Sequence, residues 1–229
     1  MIFSGLVKSS TVDCPKKLCA VLFAPMCNYD CFYCHNRHLL SDAPVLNESV
    51  IDEFLRKRIG FLDAIVVSGG EPTLQKELPG FLKYLKDMGY YVKLDTNGSD
   101  PDMLCEILKD GCADYIAIDY KAPPEMYEEI CGQGVSFKPV LRSIRLVMDY
   151  GVDYEVRTTA IPQISAEDTV RMAKEIDAVK TYALQIYKKP ELYKETDKFR
   201  VMAKAMDADR LFKLKDEIIQ YQPNTIVRA

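Results

Sequence analysis

Short apolar segments alternate with amphipathic segments along most of this 229-residue chain. The apolar segments are rich in Val, Ile, Leu or Tyr and are bounded by turn residues, which is typical of buried strands. Strands are predicted at residues 18–24, 64–67, 91–95, 115–119, 154–159 and 182–186. Apolar residues at helical spacing predict helices at 48–59, 77–88, 101–109, 139–150 and 166–177.

The order of these segments predicts an α/β fold. Strands that alternate with helices form parallel pairs joined by right-handed crossovers. About six βα units are too few for a closed eight-stranded barrel, so the pattern fits either an open doubly wound sheet or a partial (βα)6 TIM-like barrel. In both folds, functional residues gather at the carboxyl ends of the strands. A charged helical segment at 207–221 and an apolar segment at 225–227 follow the last predicted strand.

Composition is that of an ordinary globular protein, with 48% hydrophobic and 28% charged residues. No linker-like stretch divides the chain, so we predict a single domain over 1–229. The net charge of −4 argues against broad nucleic-acid binding. The first residues lack the order of a signal peptide, and no apolar run approaches the ~20 residues that span a bilayer. We therefore expect a cytoplasmic protein with no membrane contact.

Three of the eight cysteines lie within one short segment, where Cys27, Cys31 and Cys34 form the pattern CxxxCxxC. The loop that carries them, 25–36, follows the first predicted strand. Thiols stay reduced in the cytoplasm, so clustered cysteines indicate metal binding rather than disulfides. The other five cysteines are scattered singly, which is typical of small buried hydrophobic residues.

Two kinds of metal centre are compatible with this loop. A structural zinc ion needs four ligands and tends to use paired CxxC elements. His35 directly follows a cysteine and is poorly placed to bind the same ion, whereas His38 would complete a Cys₃His site. A [4Fe–4S] cluster held by three thiolates leaves one iron open, which a catalytic centre requires and an electron carrier avoids. The spacing favours the cluster.

Further polar motifs fall at the ends of later strands. Segment 68–72 reads Ser-Gly-Gly-Glu-Pro, in which the glycines would let a ligand approach the backbone closely and Glu71 adds a negative charge. A simple strand-to-helix turn would need only one Gly and no Glu-Pro. Segments 95–98 (Asp-Thr-Asn-Gly) and 119–121 (Asp-Tyr-Lys) end the third and fourth strands, and Arg157 ends the fifth. Turn formation or a plain salt bridge would also account for the aspartates and the arginine.

Together these motifs resemble the radical S-adenosylmethionine (SAM) superfamily, in which the CxxxCxxC loop carries an aromatic residue, here Tyr33. Within it, the chain is most similar to activating enzymes of glycyl radical enzymes. The opening segment 5–15 and the Cys-His-Asn at 34–36 carry that likeness. Leu184-Gln185 resembles the activators of anaerobic ribonucleotide reductase more than those of pyruvate formate-lyase. The resemblance implies the partial-barrel form of the fold.

The resemblance also implies roles for the site residues. The three cysteines would hold the [4Fe–4S] cluster, and the Gly-Gly-Glu segment would bind the amino group of SAM. The residues expected to contact the cofactors are Tyr33, Gly69, Gly70, Glu71, Asp95, Asn97, Asp119, Lys121 and Arg157. In the pyruvate formate-lyase activating enzyme, the two matching carboxylates hold a monovalent cation beside SAM, and the matching lysine reaches the SAM carboxylate. Oxygen donors of this kind suit a hard cation.

The implied reaction is reductive cleavage of SAM to methionine and a 5′-deoxyadenosyl radical. The radical then takes a hydrogen atom from a glycine Cα of a partner glycyl radical enzyme, with flavodoxin or ferredoxin as electron donor. The cofactors carry this chemistry, so no acid–base pair is required. Two other interpretations stay open: a radical SAM enzyme with a small-molecule substrate or altered SAM cleavage, and a non-catalytic iron–sulfur or zinc module.

The chain departs from the resemblance at two positions. Family members usually carry Gly directly before the first cluster cysteine and Gly in the opening Asp-x-Pro-Gly loop, and here these residues are Met26 and Lys16. The loss of two permissive residues predicts a reshaped rim over the cluster and SAM. A reshaped rim would affect partner docking or the choice of the SAM bond that breaks.

Overall fold

The computed structural model describes residues 1–41 and 43–229. At its centre is one sheet of eight strands, whose order in space follows their order in the chain. The strands are β1 (Gly5–Ser10), β2 (Cys19–Ala24), β3 (Ala64–Gly69), β4 (Tyr91–Thr96), β5 (Tyr115–Asp119), β6 (Asp153–Ala160), β7 (Tyr182–Ile186) and β8 (Thr225–Arg228).

Helices cross between successive strands. They are α1 (Glu48–Arg58), α2 (Leu78–Asp87), α3 (Pro101–Lys109), α4 (Tyr127–Cys131), α5 (Phe137–Tyr150), α6 (Ala166–Glu175), α7 (Lys198–Val201) and α8 (Ala208–Ile218). Each predicted helix is present, with ends that differ by one or two residues for most of them. Among the described residues, no helix combines the length and apolar character needed to cross a membrane.

The sheet is parallel from β2 to β8, and only β1 is antiparallel to its neighbour. Within the described residues, β1 and β8 form the two edges and do not pair with each other, so the barrel stays open. The six βα units from β2 to β7 confirm the predicted α/β fold, in its partial-barrel form.

Local sequence explains why these elements form. The strand β3 is buried at Ala64–Val67 on both faces, which suits a parallel strand between layers. Helix α1 begins after Asn47, whose side chain accepts a hydrogen bond from the Ser49 amide. Helix α6 begins after Ser165 with a full capping box to Asp168. Each helix therefore begins at a residue whose side chain caps its first turn.

The two faces of β2 and β3 show how the barrel leaves room for a site. Residues of one face pack against the helices in the main core. The opposite face carries a small, buried apolar cluster that fills the inner side of the sheet at the amino ends of the strands, formed by Cys14, Cys19, Val21, Ala64 and Val66. Further along the same face, Phe23 and Ser68 line a cavity instead. The inner side is therefore closed at one end and open at the carboxyl ends of the strands.

Strand β1 and the short helices α4 and α7 are not predicted by the sequence patterns. Strand β1 lies at an edge, carries polar residues, and has no buried position along its length. Its pairing with β2 shifts register between Val7 and Ser10. Because its apolar alternation is short and interrupted, the period-two signal of a half-buried strand is absent.

Candidate active site

A cavity of about 570 Å³ opens at the carboxyl ends of the parallel strands. A volume of this size is typical of small-molecule and cofactor sites. All twelve residues singled out by sequence line it: Cys27, Cys31, Tyr33, Cys34, Gly69, Gly70, Glu71, Asp95, Asn97, Asp119, Lys121 and Arg157. The fold therefore brings together residues that are up to 130 positions apart in the chain.

The cysteine loop leaves β2 and turns sharply between its second and third thiols, where the Cys34 amide donates to the Cys31 carbonyl oxygen at 3.1 Å. The Arg37 guanidinium donates to the same carbonyl at 2.9 Å and to the Asp30 carboxylate at 3.0 Å. Lys194 also pairs with Asp30 from the segment after β7. The loop is thus fixed by its own turn and by two basic side chains.

The three cysteines lie in a poorly hydrated setting. Burial raises the pKa of the Cys27 thiol to about 12 and also raises the pKa of Cys34. Two amide groups approach the Cys27 sulfur: the Tyr29 backbone N–H at 3.4 Å and the Asn97 Nδ2 at 3.8 Å. Metal-bound thiolates are deprotonated, so loading of a metal centre here releases protons. The two amides are placed to stabilise the thiolate that results.

A fourth thiol lies against the loop. A hydrogen bond with the Cys131 side chain, together with burial, raises the pKa of Cys31 well above its ordinary range. Cys131 ends α4, is fully buried, and its carbonyl oxygen accepts from the Asp30 amide at 2.7 Å. The sequence predicts an inert buried hydrophobic residue there, because Cys131 stands alone in the chain. Burial is as predicted, but the contact with Cys31 is a feature that the sequence does not reveal.

The histidines are not placed to complete a zinc site with the cysteines. His38 lies in a short 3-10 turn and is absent from the cavity lining, whereas His35 lines the cavity. Within residues 1–41 and 43–229, no three His, Cys, Asp or Glu side chains converge on a point that would hold a single metal ion. Cys27, Cys31 and Cys34 share the wall of a wider cavity, which suits a multi-iron cluster better than one zinc ion.

The two glycines after β3 pack directly on the start of the cysteine loop. A Cβ on Gly70 would lie 1.8 Å from the Met26 carbonyl oxygen, and a Cβ on Gly69 would lie 2.3 Å from the Ala24 amide nitrogen. The Glu71 amide donates to the Met26 carbonyl at 2.7 Å. Asn36 adds a hydrogen bond of 3.1 Å to the Gly69 carbonyl. The glycines are therefore required for contact between backbones, besides any approach of a ligand.

Glu71 is fully buried, and both of its carboxylate oxygens are occupied. Oε1 accepts from the Thr73 amide and hydroxyl and from the Thr96 hydroxyl at 2.7 Å, and Oε2 accepts from the Asn97 amide at 2.6 Å. Burial raises the pKa of this carboxyl, and these four donors oppose the rise. The side chain thus ties the end of β3 to the end of β4. Its predicted contact with the SAM amino group stays a prediction.

The ends of β4, β5 and β6 carry a chain of ion pairs. Arg157 bridges two carboxylates, with Nη1 at 3.0 Å from Asp95 and Nε at 2.7 Å from Asp119. Lys121 pairs with Asp119 at 2.9 Å, and Lys93 pairs with Asp95 at 2.5 Å. Burial opposes ionisation of both aspartates, yet the neighbouring cations outweigh it and hold the pKa of each below its ordinary value. The salt-bridge alternative for Arg157 is what the structure shows.

Tyr33 and Lys93 complete the site in different ways. Tyr33 is buried at the cavity wall and packs edge-on against Phe32 at a centroid distance of 5.2 Å. Lys93 was not singled out by sequence, although it lies two residues before Asp95 on the same strand. Side chains two apart in a strand share a face, so this spacing is the signal that would have revealed the pair.

The two positions where the chain lacks the usual Gly both have backbone angles that favour Gly. Met26 has a φ of 67° and Lys16 has a φ of 59°, both in the left-handed region. These are the only non-glycine residues with positive φ among the described ones. The backbone therefore keeps a conformation that suits Gly, and the two larger residues adopt it at a cost in strain. The Met26 side chain is exposed, and the predicted reshaping of the rim stays a prediction.

The site and the fold together define an enzyme of the radical SAM type. The chain belongs to the radical SAM superfamily, whose sequence profile matches residues 21–176. A candidate glycyl-radical enzyme activating enzyme of Methanocaldococcus jannaschii is 35% identical over 237 residues, covering 100% of this chain and 96% of that protein. A protein assigned as a GTP 3′,8-cyclase of Methanococcus aeolicus is 28% identical over 139 residues, covering 58% and 46% of the two chains.

Solved structures share the fold at low sequence identity. SuiB of Streptococcus suis, bound to the precursor peptide SuiA, has a TM-score of 0.68 and 16% identity, over 91% of this chain and 48% of SuiB. TYW1 with a lysine–pyruvate adduct has a TM-score of 0.62 and 17% identity, over 89% and 74% of the two chains. The chain thus spans about half the length of SuiB.

Family membership implies a [4Fe–4S] cluster and SAM as cofactors. The donor set fits both groups. Three thiols, of which Cys31 is buried and Cys27 and Cys34 are partly exposed, line one cavity. Two hydrogen-bond donors approach Cys27, and the same cavity holds charged groups for a zwitterionic amino acid.

Proposed function

We propose that this protein cleaves SAM reductively and passes the radical to a glycine Cα of a partner glycyl radical enzyme of the anaerobic ribonucleotide reductase or formate-lyase type. One observation carries the first part: three thiols, the Gly-Gly-Glu turn and the charged strand ends line one cavity. When bound and reduced, the cluster supplies the electron that splits SAM into methionine and a 5′-deoxyadenosyl radical. A flavodoxin or ferredoxin would serve as the electron donor.

The chain's own residues would position these groups. Cys27, Cys31 and Cys34 would bind three irons, after each thiol gives up its proton. The Lys121 ammonium, held at 2.9 Å from Asp119, would pair with the SAM carboxylate. Tyr33, buried in the wall, would help to keep water from the reacting centre. No side chain has to act as an acid or base.

The open side of the barrel supports a protein substrate. Val12 and Asp13 follow the edge strand β1, and Arg228 lies in the opposite edge strand β8, and all three line the cavity. Because the two edges do not pair, the cavity is bounded by both sides of an open seam. A flexible loop of another protein is able to enter through such a seam. The full-length similarity to a candidate activating enzyme supports the same substrate class.

The partner is tested by electron paramagnetic resonance. The reconstituted protein is incubated without oxygen with SAM, a reductant and each glycyl radical enzyme of the source organism. The proposal predicts an organic radical signal on the partner, formed with one 5′-deoxyadenosine per radical. A Gly→Ala variant of the partner at its radical site is the control and gives no signal. Steady 5′-deoxyadenosine formation that is stimulated by a small metabolite, with no partner radical, would contradict a protein substrate.

Cys131 allows a test of the three-thiolate centre. Its contact with Cys31 makes it the one further cysteine placed to act as a fourth ligand and to close the open iron. We expect Cys131→Ala to keep the wild-type iron content and SAM cleavage, and Cys31→Ala to lose both. Loss of iron from Cys131→Ala would instead favour a four-thiolate, non-catalytic centre. Cys112→Ala, a buried cysteine outside the cavity, is the matched control.

A further inference from the structure

Two carboxylates in the cavity, Asp95 and Asp119, are each paired with two cations that belong to the chain. Each of the four oxygens of Asp95 and Asp119 accepts from one basic nitrogen. Lys93 and Arg157 occupy the two oxygens of Asp95, at 2.5 and 3.0 Å. Arg157 and Lys121 occupy those of Asp119, at 2.7 and 2.9 Å.

Strand geometry makes this arrangement a built feature. Asp119 and Arg157 are direct neighbours in the register of β5 and β6. Lys93 lies on β4 two residues before Asp95, so that both side chains point to the inner face of the barrel. Neighbouring parallel strands place all of these groups within reach of one another without a loop.

Lys93 is the unusual member of the group. Its side chain is only 2% exposed, and its ammonium lies 5.8 Å from the centroid of the Tyr115 ring. A buried ammonium is costly unless an anion pairs with it, and Asp95 is the carboxylate bound to it. Removal of either partner would leave an uncompensated charge in the barrel. The pair therefore holds a buried ammonium against Asp95 in the wall of the cavity.

A soluble monovalent cation does not fit beside these residues. Such an ion needs oxygen donors whose negative charge is not already balanced, and each oxygen of Asp95 and Asp119 already faces a basic nitrogen of the chain. Its charge would also be added to three fixed positive charges around two negative ones, which is unfavourable at these distances. The monovalent cation expected from the family resemblance is therefore not supported by this arrangement.

We propose that Lys93 and Arg157 are fixed internal cations that replace a soluble monovalent cation beside SAM, so that this protein binds SAM without Na⁺ or K⁺. The inference rests on the proposed use of SAM. It makes Lys93 a positioning residue, which orients Asp95 and neutralises it, and does not itself touch the reacting atoms.

The test compares three salts at one ionic strength: sodium chloride, potassium chloride and tetramethylammonium chloride, whose large cation cannot enter the site. SAM binding to the reconstituted protein is measured by calorimetry in each salt. The wild type should give the same Kd within about twofold. Lys93→Met should bind SAM about tenfold more weakly in tetramethylammonium chloride and regain affinity in sodium or potassium chloride. Lys93→Arg should resemble the wild type.

A second readout does not use the cluster or SAM. Thermal unfolding of the cluster-free protein should give the same Tm for the wild type in all three salts. Lys93→Met should unfold at least about 5 °C lower in tetramethylammonium chloride than in potassium chloride, because only potassium neutralises Asp95. Lys86→Met removes an ion pair of equal length, Lys86 to Asp114 at 2.5 Å, on the outer side of the sheet. This control should lower Tm equally in every salt.

The outcomes separate this inference from the proposed function. A wild-type SAM affinity or Tm that rises clearly with Na⁺ or K⁺ would overturn the inference. A folded Lys93→Met variant whose SAM affinity and Tm are the same in all three salts would also overturn it. If Lys93→Met does not fold, the wild-type series alone decides. A protein that binds SAM but never cleaves it would contradict the proposed function and still leave both salt series decisive.

Discussion

The two walls of the cavity are held together by different forces. One wall, here called the neutral wall, is formed by the cysteine loop and the end of β3. It depends on close backbone packing and on neutral hydrogen bonds such as that from Asn36 to Gly69, and its ion pairs, those of Asp30 with Arg37 and Lys194, lie toward the protein surface. The other wall, here called the charged wall, is formed by the ends of β4, β5 and β6 and depends on ion pairs centred on Arg157. The first wall fixes the position of the thiols, and the second sets the charge that a zwitterionic ligand would meet.

Glu71 joins the two walls, so its removal should have the largest effect on stability. Glu71→Ala leaves the donors of Thr73, Thr96 and Asn97 without an acceptor in a buried site. We expect a loss of about 3–5 kcal/mol in the free energy of unfolding, measured by urea denaturation.

The matched control for this prediction is Glu71→Gln. A glutamine keeps the shape and the Oε1 acceptor, but turns a donor toward the Asn97 amide. It should cost about half as much as the alanine variant. Equal stability of Glu71→Ala and the wild type would show that the two walls are held independently.

The contribution of the charged wall to the free energy of unfolding should depend on pH. Burial opposes ionisation of Asp119, but Arg157 and Lys121 outweigh it and lower its pKa. Because the pKa of Asp119 is lower in the folded protein than in the unfolded chain, its ionisation stabilises the fold fully at pH values above the unfolded pKa of about 3.9. This stabilisation is lost as the pH falls from there through the pKa of the folded state. Asp119→Asn should therefore cost about 2 kcal/mol at pH 7, and the difference from the wild type should shrink below about pH 4.

Urea denaturation across this pH range checks the prediction. Asp102→Asn is the control, because its carboxylate pairs with Arg142 on the exposed surface, where an ion pair contributes little. A difference for Asp119→Asn that stays constant from pH 7 to pH 3 would mean that the ionised carboxylate does not stabilise the charged wall.

Glycine should stabilise the protein at two positions, Met26 in the neutral wall and Lys16 in the loop before β2. Met26 and Lys16 hold positive φ angles that favour Gly. Met26→Gly and Lys16→Gly should each raise the free energy of unfolding by about 0.5–1 kcal/mol, as relief of strain exceeds the added chain entropy. Lys17→Gly, a neighbour outside the left-handed region, should destabilise the protein. Destabilisation by Met26→Gly would show that the exposed methionine makes contacts that outweigh its strain.

The sequence predicted the neutral wall better than the charged one. Thiols, glycines and strand ends carry local signals, because a short motif or a period-two run is read within ten residues. The partners of Glu71 depend on how β3 and β4 lie side by side, and no local pattern encodes that register. The contact between Cys131 and Cys31 was not predicted for the same reason, since the two residues are a hundred positions apart in the chain.

For the charged wall, the sequence predicted most of the residues that form it but not which of them pair with one another. Asp95, Asp119, Lys121 and Arg157 were placed at strand ends, where the fold was expected to gather them. Lys93 was missed because a lysine within a strand is ordinarily taken to face solvent. Only the three-dimensional arrangement shows that the inner face of β4 carries a buried ion pair.

The three thiols are proposed to support reductive cleavage of SAM. The most direct measurement is anaerobic: the reconstituted protein is mixed with SAM and a reductant, and the nucleoside product is identified by mass spectrometry. We expect 5′-deoxyadenosine from the wild type and from Cys112→Ala, and none above background from Cys31→Ala. No cleavage by an iron-loaded wild type, or methylthioadenosine in place of 5′-deoxyadenosine, would contradict it.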